Sequence, residues 1–96
     1  MDAYSAPPVD SDDAYEAIAN LLEERGVYCA SDDLLVKKVI TPLGHTLYIV
    51  VASNGIERAL ADAIASVLPS HPCGGYGAWV LRQNEARELV RNAGVV

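Results

Sequence analysis

Residues 34–52 read LLVKKVITPLGHTLYIVVA, two runs rich in Val, Ile, Leu, Thr and Tyr parted by Pro42, Leu43 and Gly44. β-Branched and aromatic side chains favour strands, and a short Pro/Gly connection between two such runs marks a β-hairpin. A type I turn over residues 41–44, with Gly44 at positive φ, gives a three-residue loop ending in a glycine bulge and sets Thr41 opposite His45. That register puts Val39 opposite Leu47, Lys37 opposite Ile49 and Leu35 opposite Val51 on one face. Ile40 then meets Thr46, Lys38 meets Tyr48 and Val36 meets Val50 on the other. Both faces are mostly apolar, so the ribbon requires cover on each side from helices, a second subunit or a binding partner.

The other elements follow from spacing. Asp13 and Glu16 resemble a capping box, Tyr15, Ile18, Leu21 and Leu22 share one stripe, and Gly26 supplies a stop, which predicts a first helix. Residues 27–30 form an expected short strand, and Ser31, Asp32 and Asp33 an expected turn; a helix opening at Ser31 is the rival reading. Ser53 or Asn54 is the expected cap of a second helix, in which Ile56, Ala59, Leu60, Ala63, Ile64 and Val67 hold one face until Pro69 ends it. Its alanines suit close packing on one side of the hairpin. Residues 69–77 (PSHPCGGYG) read as a loop, residues 78–81 as a strand parallel to residues 46–52, and a short helix starts at Asn84 and stops at Gly94. One continuous helix over residues 78–92 is the alternative.

These elements predict an α+β fold: a small, hairpin-centred, mainly antiparallel sheet of three or four strands packed by two or three helices, in the order α-β-β-β-α-β-α. Residues 1–10 (MDAYSAPPVD) read as a flexible tail and residues 11–96 as one globular domain.

Composition narrows the function classes. Half of the 96 residues are hydrophobic and a fifth charged, as in ordinary folded domains, and there is no Phe, so core aromatics come from five tyrosines and Trp79. The long uncharged stretch over residues 39–56 contains Pro42, Gly44, His45, Ser53, Asn54 and Gly55, which is unlike a membrane span. The start lacks the basic and apolar regions of a signal peptide, so a cytoplasmic location is expected. The net charge of −6 is uneven: residues 1–33 carry nine acids and one base, and residues 34–96 four acids and six bases. An acidic chain disfavours direct nucleic-acid binding and suits a basic protein partner.

Candidate chemistry is sparse. Cys29, His45, His71 and Cys73 lack the paired spacing of a zinc site, so no metal and no cofactor is expected, and a Cys29–Cys73 disulfide does not suit a cytosolic chain. Cys73, with glycines after it and His71 or His45 as a base, outlines a cysteine enzyme, yet no nucleophile elbow surrounds it and a flexible turn explains the same residues. Ser53, Asn54 and Gly55 lie where a strand enters a helix, a place where amides can hold an anion, though capping needs the same residue types. Lys37 and Lys38 are too few for a nucleic-acid patch. Tyr76 and Trp79 beside the glycines form a candidate contact patch, with core filling as the plainer role for Trp79.

No family motif is present. The leading expectation is a small, acidic, non-catalytic protein-binding module, an inhibitor or adaptor acting on a larger, basic, nucleic-acid-handling partner. Anti-CRISPR, anti-restriction and immunity proteins are of this general type, a likeness of character rather than of sequence. Its expected contact residues are Asp12, Asp13, Glu16, Glu23, Glu24, Asp32, Asp33, Lys38, Tyr48, Tyr76 and Trp79, and a homodimer is a further expectation. The alternative is an oligomer binding a small ligand or anion through Ser53, Asn54 and Gly55 or the loop over residues 70–77, with His71 and Cys73.

Overall fold

The computed structural model describes residues 9–30, 32–53, 55–69 and 78–93. Strands β1 (Leu34–Ile40) and β2 (Thr46–Ala52) form the hairpin in the expected register, from Leu34 opposite Ala52 to Ile40 opposite Thr46. The turn fixes that register. Gly44 lies at φ +86° and donates its N–H to the Thr41 carbonyl at 2.9 Å, while the Thr41 N–H donates to the His45 carbonyl at 2.8 Å. A side chain at that positive φ would strain the turn, so glycine is what lets the loop close.

Strand β3 (Ala78–Arg82) pairs with the other edge of β2, giving the order β1-β2-β3. The pairing is antiparallel, with Ile49 opposite Val80 and Val50 opposite Trp79, which corrects the parallel arrangement expected from the intervening helix. Chain length explains the difference. Residues 68–77 can span about 30 Å, enough to bring the chain back along a helix of about 16 Å, so that Ala78 starts beside Val51, near where β2 ended.

Residues 27–30 do not form the expected strand, so the order is α-β-β-α-β-α with three strands among the described residues. The Asp33 N–H donates to the Ala30 carbonyl at 2.9 Å in a turn that leads into β1, in place of the helix of the rival reading. Asp33 then ties the base of the hairpin to the chain leaving it, because the Ser53 N–H donates to its carbonyl at 2.9 Å and the Ser53 hydroxyl to its carboxylate at 3.0 Å.

Helix α1 (Ser11–Glu24) begins after Asp10 rather than at a capping box of Asp13 and Glu16, and Asp12 and Asp13 fall in its first turn beside the positive helix end. Gly26 stops it as expected, at φ +78°. Its N–H donates to the Glu23 carbonyl and that of Val27 to the Leu22 carbonyl, the paired closure of a Schellman motif. Helix α2 (Glu57–Val67) is preceded by Ile56 rather than by a Ser53 cap, and its main neighbours are α1 and α3 (Gln83–Asn92), not the hairpin it was expected to cover. In α3 the Glu85 carboxylate accepts the Arg82 N–H at 2.8 Å, closing the helix start one residue before the expected Asn84. Strand followed by helix is therefore the arrangement of residues 78–92; Asn54, Gly94 and residues 70–77 lie outside the described residues.

The core lies between the helices and one side of the sheet. Ile18 and Leu22 of α1, Leu60 of α2 and Leu89 of α3 meet Tyr48, Val50, Trp79 and Leu81 of the sheet, all buried. Tyr48 is wholly inside, and its hydroxyl donates to the Val9 carbonyl at 2.6 Å, which ties the residues before α1 to the sheet.

Burial holds the Tyr48 hydroxyl protonated beyond its ordinary range. A raised folded value stabilises the protein fully below the usual tyrosine value near 10 and ceases to do so as pH climbs through that raised value. Tyr48→Phe is expected to cost about 1 kcal/mol at neutral pH in urea unfolding, and to flatten the alkaline decline of stability.

Candidate binding surface

Strand alternation sends every second side chain to the side of the sheet that carries no helix. Leu35, Lys37 and Val39 of β1, Leu47, Ile49 and Val51 of β2, and Ala78, Val80 and Arg82 of β3 share that side by register. Leu35 is 60 % exposed and Val80 53 %, against 0 % for Val50 and 3 % for Trp79 on the covered side. Of the covers the hairpin requires, helices supply one face only.

The open face is aliphatic, with two cations. β1, β2 and β3 contain Lys37, Lys38 and Arg82 and no Asp or Glu. Lys37 and Arg82 are exposed on the open side and form no ion pair with the described carboxylates. The acids lie elsewhere: Asp12, Glu16, Glu23 and Glu24 are exposed on α1, with Asp13 half-buried. The α1 surface is therefore acidic and the bare sheet face carries two cations, while α2 and α3 mix Arg58, Arg87 and Arg91 with their own acids.

The expected contact residues separate in the same way. Tyr48 and Trp79 are core residues, so no partner reaches them in this fold, and Lys38 is half-buried across from Tyr48 on the helix side. Asp32 is exposed, whereas the Asp33 carboxylate is engaged by the Ser53 hydroxyl and approached by the Ala30 N–H at 3.4 Å. Those bonds take the Ser53 donors and set a carboxylate beside the turn considered for an anion, while Gly55 is exposed there. Asn54, His71, Cys73 and Tyr76 lie outside the described residues.

Leu35, Ile49, Val51, Val80 and Arg82 were not among the expected contacts, although the hairpin register already grouped Leu35, Ile49 and Val51. Aromatic residues drew the choice to the side that the helices cover. An aromatic ring removes more apolar area from water than any aliphatic neighbour, so in a chain without Phe the helices cover the face holding Tyr48 and Trp79.

Two other places bear on chemistry. Burial pushes the Cys29 thiol up against an opposing hydrogen bond with the Tyr15 hydroxyl, and the thiol points to the Ala30 carbonyl at 3.6 Å, so it is a poor nucleophile. A cleft of about 590 Å³ opens between the hairpin tip and the start of α3, lined by Thr41, His45, Thr46, Arg82 and Asn84 among others. Among the described residues no cluster of His, Cys, Asp and Glu is arranged to hold a metal ion, and no helix is long and apolar enough to cross a membrane.

These features define a small α+β protein whose three-stranded antiparallel sheet is covered by helices on one face and, among the described residues, uncovered on the other. Comparison with protein-family models, with curated proteins and with solved structures finds no significant match to the chain.

Two measurements check this surface. Val80→Thr is expected to change unfolding free energy by no more than about 0.5 kcal/mol, whereas Val50→Thr, which buries a hydroxyl in the core, costs about 1–3 kcal/mol. In a Cys73→Ser background, Cys29 is expected to alkylate at pH 8 several-fold more slowly than a free peptide thiol; an equal rate would show an accessible thiolate.

Proposed function

We propose that this protein is a small, non-catalytic protein-binding module, an inhibitor or adaptor, that engages a larger partner through the open face of its sheet. The observation that carries this reading is the bare aliphatic face itself. Leu35, Ile49, Val51 and Val80 stay in water while every helix lies on the opposite side. Contiguous exposed aliphatic surface on so small a domain disfavours the isolated state and gains free energy when covered, at roughly 25 cal/mol per Å² of apolar area.

A nucleic-acid role suits this face poorly. Sheets that bind single strands stack bases on aromatic side chains, and none of the nine open positions is aromatic. The acid-rich first third contributes at longer range: its field favours encounter with a partner of basic character, as in nucleic-acid-handling complexes targeted by inhibitors of the anti-CRISPR, anti-restriction or immunity-protein type. A cytoplasmic setting belongs to the same reading.

The test is site-specific photocrosslinking in the source cells. A benzoylphenylalanine at position 80 or 35 is expected to give one discrete adduct with a larger protein, absent when the probe replaces exposed Asp62 on α2. Reversal of Asp12, Asp13, Glu23 and Glu24 is expected to slow formation of that adduct at low salt. Adducts from the helical position alone, or none from the sheet, would overturn the proposal.

A further inference from the structure

The open face carries a charge pattern that specifies more than apolar cover. Its nine positions hold seven aliphatic residues and two cations, Lys37 and Arg82, with no carboxylate among them. Lys37 lies opposite Ile49 on one flank of β2, and Arg82 opposite Leu47 on the other. Crossing two strand spacings and two residues of rise puts their Cα atoms about 12 Å apart on a diagonal over the aliphatic centre.

Size limits what can seat there. Five paired positions across three strands give a face of about 14 Å by about 17 Å. That matches one α-helix of about three turns, which is about 10 Å wide. It is also far below the roughly 800 Å² that each partner contributes to a standard stable interface. A second copy seated face to face would bring four cations against one aliphatic seam with no carboxylate to meet them, a like-charge arrangement that disfavours that pairing. A membrane surface fits no better, because two cations fall short of the four to eight that mark anionic-lipid segments, and none of the nine described positions is Trp or Tyr.

Resting on the reading of the protein as a binding module, we infer that the open sheet face seats an acidic amphipathic helix of a partner protein. Its aliphatic stripe lies over Ile49, Val51, Leu35 and Val80, and its carboxylates meet Lys37 and Arg82. Two helical turns rise about 10.8 Å, so acids seven residues apart on one flank of that stripe match the diagonal. This contact is distinct from the acidic surface of α1, which lies on the helical layer and suits basic groups. One partner, basic at large and presenting an acidic helix, thus meets the open face with that helix while the acids of α1 steer its approach.

Designed peptide helices test the charge pattern directly. One peptide carries a leucine stripe flanked by two glutamates seven residues apart, and its twin carries lysines in their place. By fluorescence anisotropy at low salt the glutamate peptide is expected to bind the full-length protein at least about tenfold more tightly than the lysine peptide, as complementary charge at a contact provides. The double variant Lys37→Glu/Arg82→Glu is expected to invert that order, and Lys37→Gln/Arg82→Gln to abolish it should the reversal fail to fold. Equal binding of both peptides, binding only to vesicles of phosphatidylserine and phosphatidylcholine, or concentration-dependent self-association that charge reversal leaves unchanged would overturn the inference. A position-80 adduct alongside indifferent peptides would refute the acidic helix and leave the binding module standing.

Discussion

The cross-strand register of the hairpin is the constraint on which the rest of this molecule depends. Gly44 at positive φ and the paired Thr41 and His45 bonds fix which residue of β1 faces which residue of β2. Side chains alternate with a period of two, so a slip of one residue would exchange the faces and put Tyr48 in water and Ile49 in the core. Once the register is set, two unlike sides exist: one bearing Tyr48, Val50, Trp79 and Leu81, and the other bearing only aliphatics and cations. The helices cover the first because more apolar area is buried there. Exposure of the second follows from having one helical layer and a sheet with two greasy sides.

The charge distribution reinforces this division. α1 carries its acids on the surface away from the core, where water solvates them and the first turn benefits from Asp12 and Asp13. The sheet carries cations alone, and the long stems of Lys37 and Arg82 can lie along apolar neighbours while their heads stay wet. The two lysines at the middle of β1, an edge strand, also oppose pairing of that edge with another chain. Strand pairing along this edge is thereby disfavoured, whereas the sheet's face carries no such obstacle.

Much of the fold was legible in the sequence because local chemistry and tertiary demand agreed. The hairpin register, the Gly26 stop, and the strand followed by a helix over residues 78–92 come from turn residues and periodicity that packing did not override. The direction of β3 was not legible, since parallel and antiparallel pairing differ only in how residues 68–77 return, and composition carries no sign of that. The missing strand at residues 27–30 has a similar cause: Val27 closes the end of α1, and Ala30 is drawn into a turn with Asp33. The open face was half legible, because the register displayed two apolar faces without saying which the helices would take. The absence of Phe was the overlooked signal, since it leaves Tyr48 and Trp79 as the only aromatic groups in the three described strands and makes their face the one with most apolar area to bury.

Hydroxyl-radical footprinting of the unmodified protein tests the central claim, a folded molecule with one sheet face in water, most directly. Oxidation read residue by residue is expected to be fast at Leu35 and Val80 and slow at Val50 and Leu81, four aliphatic residues of one sheet. Equal protection of all four in the free protein would mean that the second face is already covered, and would contradict the open surface on which the functional reading stands.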